Sequence, residues 1–311
     1  MRFILILCLG LLIGAAPAPD SGFEALRMLD LRVATIGYRL KAANRDLCKT
    51  VMPQTGLLIH SLGQYIPTER AAAKAYFGLG LTPAVIAVVP KSAAEKAGFK
   101  AHDHLLSIGG EGVPTGVMTR ADYAAVQQVE DALSQAHKKN GTVDVGILRD
   151  GVERTLRLTG EPACPSRFIV RYANKLGASA DGADVTLTGK IVDFVGNDDE
   201  LAVVMGHEFA HNVLGHGDRL DISGRAARFV RATEIEADYV GLYLTARAGY
   251  DPAAGARFYA RFGKKTDHGF LSDGTHLRWK SRVALAQRTL AEIRMKQEAG
   301  LPLIPNKTPP N

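Results

Sequence analysis

Between Glu200 and His216 the chain reads ELAVVMGHEFAHNVLGH, and no other stretch limits the possible folds as strongly. Asn197, Asp198 and Asp199 are good helix-starting residues. Leu201, Val203, Val204, Phe209 and Val213 continue a helix, and Gly215 can end it. His207 and His211 lie four apart on one face of that helix, with β-carbons about 5–6 Å apart, so both can hold one Zn²⁺ at about 2.0–2.1 Å. Glu208 is turned about 100° from His207 about the helix axis. It is too far round to share the ligand set easily but can reach a metal-activated water, which is the place of a general base.

A third ligand has to come from elsewhere in the chain. The scheme with a further histidine six residues on is excluded, because Leu214 and Gly217 stand where it needs Gly and His. His216 follows Gly215 at the helix end and points to a supporting or surface role. The run from Arg231 to Pro252, RATEIEADYVGLYLTARAGYDP, reads as a second helix carrying Glu234, Glu236 and Asp238. Glu234 and Asp238 share a face, so one can bind zinc while the other accepts the free imidazole N–H of a ligand histidine. Glu236 sits on a different face and is the fallback ligand.

The first residues are of another kind. Arg2, the apolar stretch FILILCLGLLIG and the small residues AAPAP follow the pattern of a secretory signal, expected over residues 1–18. The apolar stretch is short for a spanning helix, and no second run approaches that length, so no spanning helix is expected in the mature chain. This leads to an expectation of export, to the periplasm, with membrane tethering if the signal is not removed. In an oxidising compartment Cys48 and Cys164 can form a disulfide, with two buried thiols as the alternative. Of the 311 residues 46% are hydrophobic, enough for a sizeable core. The net charge of +6 is spread along the chain, without basic blocks interleaved with aromatics, so nucleic acid is not an expected partner. Arg225, Arg228 and Arg231 recur at helical spacing and read as a solvated face.

Ahead of the zinc motif the texture changes twice. Residues 23–48 read as a helix, and residues 67–77 as another entered at Pro67. From Ala84 short β-branched runs alternate with glycine turns, a helix is expected over residues 122–138, and Asp150-Gly151 marks a hairpin. The run from Val85 through Leu158, with VVPKSAAEKAGFKAHDHLLSIGG at its centre, resembles a PDZ domain of the bacterial type. It departs from that family at His102, where Gly is usual, and at Ala93, where Pro is usual. The resemblance implies binding of extended peptides by strand addition, with a glycine-containing loop receiving a terminal carboxylate. Gly78, Leu79, Gly80 and Leu81 are the candidate loop, or they merely join two domains.

GHEFAH together with the downstream EIEADYVGL resembles peptidase family forty-eight of the metallo class, the gluzincins of the HtpX and CAAX-prenyl-protease type. The segments GASADGADVTLTGKIVDFVGNDDELA and SDGTHLRWKSRV extend the resemblance over roughly residues 168–290. It implies that His207, His211 and Glu234 hold one Zn²⁺ per chain, that Glu208 is the general base and that Asp238 supports a ligand histidine. His276 is implied at the cleft, as a catalytic group or a cap on the metal, with Arg282 positioning it. Leu277 stands where the family has Pro. The strand near Val185 to Leu187 is implied as the sheet edge that pairs with a substrate.

The resulting expectation is an α+β chain: a mainly helical zincin core with a small edge β-sheet and an inserted PDZ-like β-barrel or sandwich. The boundaries are 1–18 signal, 19–77 N-terminal helical segment, 78–160 PDZ domain, 161–300 zinc metallopeptidase and 301–311 mobile tail. The activity expected is zinc-dependent cleavage of unfolded or misassembled exported proteins. The alternatives are a PDZ-bearing chaperone or latent protease with a capped zinc site, and a metal-dependent hydrolase of non-peptide amides or esters.

Overall fold

The computed structural model describes residues 21–117, 120–266 and 277–310. The expected signal segment and His276 lie outside the described residues.

The first helix, α1 (Ser21–Ala43), is shared between two bodies. Val33, Ile36 and Leu40 on its C-terminal half are buried in the largest hydrophobic core. Phe23 and Leu26 on its first turns pack against a smaller cluster built around Phe77, Leu79 and Ile86. After α1 the strand β1 (Met52–Gln54) leads out into the inserted domain.

That domain comprises β2 (Leu57–His60), α2 (Arg70–Phe77), β3 (Ala84–Val88), α3 (Ala93–Lys96), β4 (His104–Ile108), β5 (Glu111–Gly112), α4 (Ala124–Asn140), β6 (Thr142–Arg149) and β7 (Val152–Thr159). The sheet order is β2-β3-β4-β6-β7, with β5 paired to β4. Helix α4 lays Val126, Val129 and Leu133 on the sheet's own core of Val85, Leu105, Val145 and Ile147. Asp150 and Gly151 turn the β6–β7 hairpin with φ of 53° and 74°, the paired positive angles that select this dipeptide. His102, where the PDZ family usually has Gly, also takes a left-handed φ of 71°. Its ring Nδ1 lies 2.9 Å from the Phe77 carbonyl, a local contact that offsets part of the roughly 1–2 kcal/mol cost of that backbone conformation. The sheet starts ahead of the boundary expected at residue 78, because β2 pairs with β3, a partnership that four residues cannot announce on their own.

The chain returns through β8 (Glu161–Ala163), which pairs antiparallel with β1, Met52 opposite Ala163. Cys48 and Cys164, at the foot of this two-stranded neck, are joined by a disulfide spanning 116 residues. The Tyr38 hydroxyl on α1 accepts from the Ala93 N–H at 3.1 Å and donates to Glu161, tying the neck and the inserted domain to the first helix.

The remaining chain is mainly helical: β9 (Arg167–Arg171), β10 (Ala178–Ala180), β11 (Asp184–Thr188), α5 (Gly189–Phe194), α6 (Asp198–Leu214), α7 (His216–Ser223), α8 (Ala227–Arg247), α9 (Ala254–Thr266) and α10 (Trp279–Glu298). The architecture is α+β, as expected. The strand at 185–187 is not the sheet edge, however. In the order β10-β11-β9 it is the central strand, antiparallel to β10 and parallel to β9, and Val185 and Leu187 are fully buried. The open edge on the α6 side belongs to β10.

The tail expected to be mobile is strapped across α8 and α10. The Asn306 N–H donates to the Tyr239 hydroxyl at 2.8 Å, the Lys296 ammonium donates to the Ile304 carbonyl at 2.5 Å, and Arg247 donates to the Leu303 carbonyl at 3.2 Å. Its prolines and single charge resemble a free end in composition, but its backbone is anchored by polar groups of α8 and of the last turn of α10. No helix among the described residues is long and apolar enough to cross a membrane.

Candidate metal centre

Helix α6 begins where Asn197 caps it, the side-chain oxygen accepting from the Glu200 N–H at 3.0 Å. Asp198, Asp199 and Glu200 in the first turn suit the positive end of the helix dipole. Glu200 is itself buried, held by Arg261 and by the Gly196 N–H at 2.7 Å. From Leu201 to Ala210 every side chain of α6 is buried except Glu208, so the helix crosses the core with one carboxylate partly exposed.

His207, His211 and Glu234 converge from α6 and α8, with one donor atom from each lying within 4.8 Å of the others. The two Nε2 atoms are 3.4 Å apart, His207 Nε2 lies 3.3 Å from Glu234 Oε2, and His211 Nε2 lies 3.5 Å from the other oxygen, Oε1. A tetrahedral zinc with bonds of about 2.0–2.1 Å requires its ligand atoms to be about 3.4 Å apart. The two imidazole nitrogens meet that spacing, each has a Glu234 oxygen at a similar distance, and two imidazoles with a carboxylate are a donor set suited to zinc. The residues therefore fit the metal.

Each of the two histidines has its other ring nitrogen close to a polar group. His207 Nδ1 lies 3.0 Å from Asp238 Oδ1. Arg282 of α10 clamps the same carboxylate through two bonds, Nε to Oδ2 at 2.8 Å and an Nη to Oδ1 at 2.5 Å, while its guanidinium stacks 4.1 Å over the Tyr259 ring. Burial alone would raise the Asp238 pKa, but Arg282 and then His207 outweigh it, so the carboxyl is held well below its usual range. Burial likewise opposes charge on His207, yet Asp238 and Glu234 prevail and its pKa rises to about 10. Burial and then the charge on His207 push His211 down. The proton of the metal-free pair thus sits on His207.

His211 Nδ1 lies 2.9 Å from Nδ1 of His216, whose Nε2 lies 3.3 Å from Glu236; Arg219 donates to the same Glu236 oxygen at 2.8 Å. Glu236, the fallback ligand, therefore turns away from the centre toward His216. Arg282, expected to position His276, engages Asp238; His276 lies outside the described residues. The loop at residues 78–81 acts as a helix-to-strand connection: Gly78 ends α2 in a left-handed conformation, Leu79 is buried, and Leu81 is exposed. Sequence reasoning did not pair Arg282 with Asp238, or His211 with His216. The second of these had a visible cue in a histidine five residues beyond the motif, across a glycine.

Two histidines of a His-Glu-x-x-His helix and a glutamate from the next long helix therefore meet as a candidate metal centre. Residues 165–230 match the model of Peptidase family M48, and residues 36–159 match that of the PDZ domain. The chain is thus similar to the M48 peptidases in the segment after the inserted domain, and to PDZ domains in the segment between α1 and β9.

Among curated proteins it is similar to three described as mitochondrial metalloendopeptidase OMA1. The Arabidopsis thaliana protein is 34% identical over 145 residues, covering 36% of this chain and 29% of the relative. The Schizosaccharomyces pombe protein is 28% identical, covering 35% and 44%. The Saccharomyces cerevisiae protein is 25% identical, covering 46% and 48%. The chain thus spans less than half the length of each of these relatives. A solved HtrA3 PDZ domain bound to a phage-derived ligand aligns with 36% of this chain and 89% of its own at 14% identity, with a TM-score of 0.26.

These matches overturn the expectation of a periplasmic protein. The relatives are mitochondrial, and the N-terminal segment on which the expectation rested lies outside the described residues.

Proposed function

We propose that this chain is a zinc-dependent endopeptidase acting on unfolded or misassembled polypeptides, with His207, His211 and Glu234 holding the metal and Glu208 serving as general base. The observation that carries this reading is the convergence of two imidazole Nε2 atoms, 3.4 Å apart, on the Glu234 carboxylate, whose oxygens lie 3.3 Å from one and 3.5 Å from the other. Zinc bound there supplies Lewis acidity toward water and the scissile carbonyl.

The chain's own residues do the rest. Glu208, partly exposed in the middle of a buried helix, takes the proton of the attacking water and returns it to the leaving amine. Asp238 fixes the His207 ring so that Nε2 faces the metal, and Arg282 keeps Asp238 ionised in its buried position.

Substrate is held as an added strand on β10. In the β10–β11 ladder Thr188 donates to Gly177 and Asp181 donates to the Asp184 carbonyl. The alternation of an antiparallel pair then turns Ala178 and Ala180 outward, so their N–H and C=O groups are open to an extended peptide. Backbone recognition of this kind requires an extended segment, which folded proteins seldom expose. That supports unfolded chains as substrates, with the PDZ domain gathering chain segments.

The test is degradation of a labelled unfolded protein by the purified chain, beside Glu208→Gln and a chelated sample. Cleavage lost in both controls supports the reading. Zinc bound without any cleavage would favour a PDZ-bearing chaperone.

A further inference from the structure

We propose that His216, Glu236 and Arg219 form a relay that positions His211 and sets its tautomer, so that the second ligand histidine is supported as firmly as the first. This rests on the reading of His207, His211 and Glu234 as the metal site, and it concerns residues outside that set. His216 and Glu236 act through His211 and are positioning residues.

The geometry permits one proton arrangement. A His211 ring whose Nε2 faces the metal must carry its proton on Nδ1. That Nδ1 is 2.9 Å from His216 Nδ1, close enough for one proton but not two, so His216 Nδ1 accepts. The proton of a neutral His216 then lies on Nε2, which faces Glu236 at 3.3 Å. Arg219 donates to the same Glu236 oxygen at 2.8 Å, which holds the carboxylate against His216. Without the Glu236 carboxylate, His216 could take its other tautomer and set an N–H against the N–H of His211. That arrangement would turn the ligand ring away from its productive orientation.

Burial and backbone both fit the assignment. His216 is 1% exposed, and a buried imidazole needs its nitrogens satisfied. Gly215, at φ 64° and ψ 40°, breaks α6 and starts α7, which swings His216 back beneath His211 instead of one turn further along α6. The His211 and His216 rings meet edge to face with centroids 4.8 Å apart. The two histidines are thus braced differently, His207 by a carboxylate in direct contact and His211 through an intervening imidazole.

The experiment is zinc affinity of the full chain by competition with a chromophoric chelator, together with the visible spectrum of the Co²⁺-loaded chain. It uses wild type, Glu236→Gln and His216→Phe, with the thermal midpoint of each metal-free chain measured alongside. Glu236→Gln preserves shape at a partly exposed residue. The relay is expected to show a loss of about 10-fold or more in zinc affinity with the metal-free midpoint unchanged, and an altered Co²⁺ spectrum. His216→Phe is expected to lose about as much or more. Wild type that binds zinc, with Glu236→Gln binding as tightly and giving the same Co²⁺ spectrum, overturns the relay alone. Wild type that takes up no zinc overturns the metal site, and the relay with it.

Discussion

Gly206 on α6 and Gly241 on α8 face each other where the two helices cross. A β-carbon on Gly206 would lie 2.8 Å from the Gly241 carbonyl oxygen, and one on Gly241 would lie 2.8 Å from the backbone of His207. This close approach brings Glu234 and Asp238 of α8 beneath the histidines of α6, and Thr245 adds to it by donating to the Ala202 carbonyl at 3.2 Å. Gly241→Ala gains up to about 1 kcal/mol of helix propensity, but the contacting atoms are backbone and cannot rotate aside. The expected net result is a destabilisation of about 1–3 kcal/mol and weaker zinc binding, read from denaturant unfolding and metal titration.

Reduction should loosen the chain at its neck. The Cys48–Cys164 bond closes 116 residues, a loop containing the whole inserted domain. The double Cys→Ser variant should lose about 2–5 kcal/mol of unfolding free energy, with zinc binding retained. An unchanged midpoint would show that the neck holds through the β1–β8 pairing and Tyr38 alone.

Zinc uptake should release a proton from His207. Its pKa in the metal-free chain is raised above the unfolded value of 6.5 to about 10. Its contribution to metal-free stability is therefore fully present below pH 6.5 and disappears as pH rises through about 10. Zinc competes with that proton, so affinity should climb up to about tenfold per pH unit within this window. Calorimetry in buffers of different ionisation enthalpy counts the protons released, and a count of zero would refute the assignment.

The β10 edge can be tested by removing a single donor. Ala180→Pro deletes an outward N–H and leaves the ladder to β11 intact, whereas Ser179→Pro breaks the ladder itself. Ala180→Pro should lower kcat/KM on an unfolded substrate by about 3- to 10-fold, the worth of one hydrogen bond, at full zinc occupancy.

The parts of this architecture that were legible in the sequence are those written in local spacing. Helical periodicity located α6 and α8, the offset of Glu208 from His207 set it on a different side of α6 from the two histidines, and Asp150-Gly151 marked its hairpin. Glu234 was separable from Glu236 by the side of α8 each occupies. What escaped depends on partners distant in the chain. The strand at 185–187 becomes central only because β9 pairs with it in parallel, and nothing in DVTLT signals that partnership. The tail is docked by Tyr239, Lys296 and Arg247, which lie on helices that its own composition does not indicate. Arg282 finds Asp238 across 44 residues, so its role could not be read before the helices were packed.

The central claim separates ligand from base, and metal content tests it most directly. Zinc per chain should be measured by mass spectrometry on dialysed wild type, Glu234→Gln and Glu208→Gln. The account predicts about one zinc in wild type and in Glu208→Gln, and a marked loss in Glu234→Gln. Full zinc in Glu234→Gln, or its loss from Glu208→Gln, would contradict the assignment of the third ligand.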